Sequence, residues 1–238
     1  MENGKIMDTV QQFEKVVEFM KVGSQNVFSE FNFPSWKTGA FRLRLIDEEL
    51  NGKNELIDSL QNDKPVGVLD GICDVLYVVY GAYATFGLIP LRWTIPTINK
   101  NTNPVPPMHR SWFISRALNG AYDRLVRGLE IGDQPTISSS LRDVVDNIIE
   151  LSIECGFDVA GAFDEVHASN MSKFCDSYES ANRSIEKRLA TGNSDYYDAS
   201  IAVVEVGDVK YYVIKRHADG KILKGENFFE PDLEKYIP

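Results

Sequence analysis

Asp70-Gly71-Ile72-Cys73-Asp74-Val75-Leu76-Tyr77-Val78-Val79-Tyr80-Gly81 opens the stretch whose reading decides this fold. From Ile72 to Ile89 the chain is almost wholly apolar, at a length close to what a membrane-spanning helix needs. Asp74 lies inside this stretch, Asp70 just before it, and Gly81 and Gly87 interrupt its later half. No cluster of Lys or Arg flanks either end in the manner of a topology signal. A helix from about Val66 to Phe86, buried in a protein core, explains the same pattern without lipid. No membrane partner is expected.

Such a helix leaves almost no solvent face for its acids. Asp70 and Asp74 stand one turn apart, with Tyr77 and Gly81 continuing their stripe. Two like charges so placed both ionise easily in a dry site only with a shared cation. The segment upstream repeats the anomaly. One helix is expected from about Gly39 to Leu60. At about 100° per residue, Leu45, Ile46, Leu50, Leu56, Ile57 and Leu60 fall within an arc of roughly 140°. Glu49 projects inside that arc, Glu48 flanks it, and Glu55 returns to nearly the face of Glu48. Buried carboxylates are costly unless a cation or hydrogen-bond donors compensate them. Pairing the two helices would give an all-oxygen cage suited to Mg²⁺ or Mn²⁺.

Other readings compete with this one. Glu48 and Glu49 also fit a solvated face with Arg42 or Arg44 as surface partners. Asp70 fits an early-helix acid favoured by the helix dipole, and Asp74 fits a structural ion pair.

Outward from these helices the pattern stays mainly α. Val10, Phe13, Val16, Val17 and Met20 give a helical stripe from about Met7 to Val22. Phe31-Asn32-Phe33-Pro34-Ser35-Trp36 reads as an aromatic loop. Pro90, Pro96 and the run from Asn99 to Pro107 read as a long polar connection. Helices follow at about Ser111 to Glu130, Ser138 to Cys155 and Val159 to Phe174. The β-branched and aromatic runs 200–206 and 210–214 flank Gly207-Asp208, as in a hairpin. The expected organisation is a helical domain over 1–198 with a helical insert at about 89–157, then a hairpin and tail over 199–238.

Composition narrows the function. The chain has 238 residues, 43% of them apolar, enough for a sizeable core. A net charge of −10 argues against a nucleic-acid polymer as partner, since phosphate backbones reward a basic face. A free nucleotide stays open, because a divalent metal reverses the local sign of an acidic pocket. Cys73, Cys155 and Cys175 lack metal-ligand spacing, and Met1 to Lys5 begin without an apolar signal core. Both fit a soluble chain in the reducing cytoplasm.

Arg44-Leu45-Ile46-Asp47-Glu48-Glu49-Leu50 and then Asp70 to Gly81 resemble the all-α nucleotide pyrophosphohydrolases, which include MazG-like proteins, dimeric dUTPases and phosphoribosyl-ATP pyrophosphohydrolases. Glu165-Val166-His167-Ala168-Ser169-Asn170-Met171-Ser172-Lys173 resembles a later motif of the phosphoribosyl-ATP pyrophosphohydrolase-like branch, and Asp219 to Gly225 the tail after it. The resemblance implies a helical-bundle enzyme that cuts a nucleoside triphosphate, of the (deoxy)nucleotide pool, into a monophosphate and pyrophosphate. It implies Glu48, Glu49, Asp70 and Asp74 as holders of Mg²⁺, with Glu48 or Glu49 orienting the attacking water. Tyr77, Asn170 and Lys173 would face the nucleotide, with Lys221 and Lys224 as further phosphate contacts, and the family implies a homodimer. His167 is read as structural.

Two departures qualify the carry-over. Gly52 stands where the family usually has a further glutamate, so Glu55 is taken as its substitute ligand. About seventy residues, from Ile89 to roughly Phe157, separate the Asp74 helix from the Asn170 motif. The alternative function is a nucleotide-sensing or scaffold protein that keeps this fold without turnover.

Overall fold

A computed structural model describes residues 7–95 and 108–238. Met1 to Lys5, Pro96 and the Asn99 to Pro107 run lie outside the described residues. In chain order the elements are β1 (Met7–Asp8), α1 (Thr9–Val22), α2 (Trp36–Asn51), α3 (Leu56–Gln61), α4 (Pro65–Phe86), β2 (Thr94–Ile95), α5 (Met108–Ile131), α6 (Gln134–Cys155), α7 (Val159–Met171), α8 (Tyr178–Ala190), β3 (Ala199–Val206) and β4 (Val209–Arg216). The chain is mainly helical with a small antiparallel hairpin near its C-terminus, as its periodicity implies. β1 and β2, a two-residue antiparallel pair, have no sequence signal of comparable strength.

Contacts divide the chain into two compact units. Met1–Val17, Val27–Asp164 and Asp232–Pro238 form the first, and Glu18–Asn26 with Glu165–Pro231 form the second. The division therefore falls inside α1 and α7, rather than near residue 198.

In the first unit α4 packs against α2, α3 and α6, while α5 runs along α6 and touches α2 and α3. α4 is long and apolar enough to cross a membrane, yet 72% of its most apolar window is buried in protein. Ile72, Val75, Leu76, Val79 and Tyr80 are wholly buried, each aliphatic side chain contributing about 1.5–3 kcal/mol. Pro65 starts α4 where a missing N–H costs nothing, and Gly87 ends it at φ 66°. A Cβ at Gly87 would lie 1.7 Å from the Glu30 carbonyl oxygen, so both torsion and space demand glycine.

The single helix expected from Gly39 to Leu60 is instead two. Gly52 leaves helical geometry at ψ 161°, and Asn54 adopts φ 68°. Asp58 Oδ2 accepts from the Asn54 N–H at 3.1 Å, and Ser59 Oγ donates to the Asn54 carbonyl at 3.0 Å. These local bonds compete with helix continuation and hold a turn between α2 and α3.

In the second unit, β3 and β4 pair from Ala199↔Arg216 to Val206↔Val209 around Gly207, which has φ 60°. An isolated hairpin is marginal in water. Here Ala181, Ile185 and Leu189 of α8 cover Ile214 and Tyr212, while Phe19, Val22, Met171 and Phe174 pack with Val213 and Val204. The strands thus share a core with helix segments on both faces, which is why the unit extends upstream of residue 198. α8 escaped the sequence reading because its five apolar residues are matched by five charged ones. Its ends are nonetheless marked: Ser177 caps the Ser180 N–H, and Lys187 and Arg188 occupy the last turn.

Candidate metal centre

α2 begins at Ser35, whose Oγ accepts from the Thr38 N–H at 3.3 Å. Near its other end Ile46 and Leu50 are fully buried, and Glu49 lies half-buried between them. The turn at Gly52 then brings Glu55 to the start of α3, and Asp74 projects from the third turn of α4. Glu49, Glu55 and Asp74 each offer a carboxylate oxygen, and the three oxygens lie within 4.8 Å of one another. At Mg²⁺–oxygen distances of about 2.0–2.1 Å, adjacent ligands of an octahedral ion stand about 3 Å apart and opposite ones about 4.2 Å, so these three oxygens would surround one ion once they draw together. All three residues are half-buried, and all belong to the first unit.

The electrostatics express the crowding. Burial first, and the Asp70 carboxylate second, push the Glu55 carboxyl above its ordinary value, while a hydrogen bond with Glu49 opposes the shift. The two glutamates therefore share a proton-mediated contact unless a cation replaces it. Cys73, fully buried beside them, is held well above the ordinary thiol range by burial, then by Asp74 and Asp70. That thiol is an inert core group rather than a nucleophile.

The remaining sequence-derived site residues fall elsewhere. Glu48 turns outward, with its side chain 59% exposed and paired to Arg44 at 3.6 Å. Asp70 is half-buried and acts on Glu55 through charge, outside the three-oxygen group. Tyr77 is buried, its ring stacked on Phe163 with centroids 5.7 Å apart. In the second unit the Lys173 ammonium donates to Asn170 Oδ1 and stands 5.9 Å from the Phe19 ring centre. Lys224 pairs with Glu230 at 2.8 Å and lies over the Phe228 ring, while Lys221 is exposed. His167 Nε2 is 3.6 Å from Glu18.

Arg42 corrects the surface-partner reading. It is buried, its Nε donates to Thr85 Oγ1 at 2.8 Å, and burial lowers its pKa to about 10. The i, i+4 spacing of Arg42 with Ile46, continued by Leu50, was the sequence signal that it faces inward.

Residues 17–101, which contain all three clustered carboxylates, match the family model of phosphoribosyl-ATP pyrophosphohydrolase. Over 222 residues the chain is 32% identical to an uncharacterized protein of Acanthamoeba polyphaga mimivirus, with 84% of each chain covered. No solved structure matches it. The later Asn170 and Asp219 motifs lie outside the family match but inside a fold of the expected class. By this match and by its helical architecture, the chain belongs to the phosphoribosyl-ATP pyrophosphohydrolase family, a MazG-like, all-α family whose activity is of the nucleotide pyrophosphohydrolase type.

Proposed function

We propose that this protein is a Mg²⁺-dependent nucleoside triphosphate pyrophosphohydrolase, able to use Mn²⁺, that cleaves between the α and β phosphates and releases a nucleoside monophosphate and pyrophosphate. The observation that carries the proposal is the convergence of Glu49, Glu55 and Asp74 to within 4.8 Å inside the family-matching segment. An acidic trio is the reverse of a phosphate site on its own, and becomes one when a divalent ion supplies the positive charge and acidifies a water.

The chain's own groups divide the work. Glu49 and Asp74, each on a long helix, are the rigid holders of the ion. Glu55, at the start of α3, would complete the oxygen set around it. Glu55 also bears on the scaffold alternative. Gly52 removes a carboxylate from α2, but Glu55 joins the same cluster three residues later.

The test is pyrophosphate release from a panel of ribo- and deoxynucleoside triphosphates, in Mg²⁺ and in chelator. Mg²⁺-dependent release of pyrophosphate with monophosphate is the expected result. Nucleotide binding without release across the panel would favour the scaffold.

A further inference from the structure

Glu55 poses a positioning problem. It begins α3, a helix of six residues, and no side-chain cap fixes its own start; so short a helix has little stability of its own. The Asp58 and Ser59 bonds to Asn54 hold the turn before it, and its distance from α4 comes from what it lies against. A Cβ built on Gly71 of α4 would stand 2.7 Å from Leu56 Cα and 2.8 Å from both Leu56 N and Cβ. Two of these three atoms are backbone, so no rotamer change relieves the clash. Leu56 is itself fully buried and directly follows Glu55. Gly71 lies three residues before Asp74, on the same side of α4. The opposite flank is as tight, since a Cβ at Gly52 would meet the Glu48 carbonyl oxygen at 2.4 Å and Glu55 Cγ at 2.7 Å.

We propose that Gly71 is a positioning residue for the metal centre: by admitting the Leu56 backbone directly onto α4, it sets the Glu55 carboxylate within chelating reach of Asp74. This rests on the reading of the carboxylates as ligands. An alanine methyl at 71 would displace the start of α3 by about 1 Å to restore ordinary contact, far beyond the roughly 0.2 Å tolerance of metal–ligand distances. Gly120 of α5 is the control. Its Cβ would meet only the end of the flexible Arg124 side chain, at an ordinary 3.7 Å.

The experiment is a titration of the full chain with Mn²⁺ alone, read by loss of the free-ion electron paramagnetic resonance signal. Circular dichroism at the same temperature checks that each variant is folded. Gly71→Ala should weaken Mn²⁺ binding at least tenfold, and Gly120→Ala by less than about twofold. In a Glu55→Gln background, Gly71→Ala should add nothing, because its effect passes through Glu55. Wild-type affinity in Gly71→Ala, or an equal loss with and without Glu55, overturns the positioning role and leaves the carboxylate reading intact. A wild-type chain that binds no Mn²⁺ overturns both. Should Gly71→Ala unfold, the same cycle is run in trimethylamine N-oxide, which favours the folded state without acting on the contact.

Discussion

Asp74→Asn removes one charge from the three-carboxylate group while keeping the shape of the side chain. It should stabilise the metal-free protein and remove most of its response to Mg²⁺, two effects of opposite sign. At the 4.8 Å limit of the cluster, a pair of unit charges repels by about 0.9 kcal/mol in bulk water and about 3.5 kcal/mol at an effective dielectric of about 20. Asp74 is half-buried and makes two such pairs, with Glu49 and Glu55. The proton bias of Glu55 already relieves part of that repulsion. A net gain on the order of 2 kcal/mol follows, or a rise of about 4–8 °C in melting temperature for a chain of this length. Wild-type protein at 100 times its Mg²⁺ dissociation constant gains about 2.7 kcal/mol from the ion, and the variant should gain little. Thermal melts in chelator and in saturating Mg²⁺ read both terms. A variant that melts below wild type in chelator, or that keeps the full Mg²⁺ shift, refutes the reasoning.

Glu48→Gln is the complementary substitution. Its exposed i, i+4 pair with Arg44 is worth only about 0.3–0.5 kcal/mol, so melting should move by less than about 2 °C and the Mg²⁺ shift should persist; loss of that shift would return Glu48 to the ligand set. A pH dependence follows from Glu55. Burial and then Asp70 raise its carboxyl above the ordinary value, so the folded chain holds this proton to higher pH than the unfolded chain. Its contribution is fully present below the unfolded value of about 4.3 and is lost as pH rises through the folded range. Melts across that range should show the decline in chelator and its removal by Mg²⁺; a metal-independent profile would contradict it. Phe163→Ala opens space beneath Tyr77 and Tyr80, whose rings lie 5.7 and 6.1 Å from Phe163. The cost should be about 3–5 kcal/mol, read from denaturant midpoints with the slope unchanged.

Local periodicity determined a good deal of this protein. The unbroken apolar run of α4 dictates a buried helix wherever it packs, and the acids embedded in it had to be compensated. The wheel of α2 also separated Glu49 from Glu48, because a side chain inside an apolar arc faces inward in any packing. The alternating runs around Gly207-Asp208 could form little other than a hairpin.

Glu55 was another matter. Extrapolated along one continuous helix, it shares a face with outward-turned Glu48; Gly52 and Asn54 break that phase, and the partners that hold the break, Asp58 and Ser59, lie beyond it. The covering of one hairpin face likewise joins Phe19 and Val22 to Val204 and Val213, more than 180 positions away, a pairing that no local pattern carries. Sequence alone marked most of the apolar side chains that turn inward, since that depends on neighbours within a turn or two. Tertiary structure decided which of them meet, since the meeting of Glu55 with Asp74 depends on backbones touching where Gly71 has no side chain.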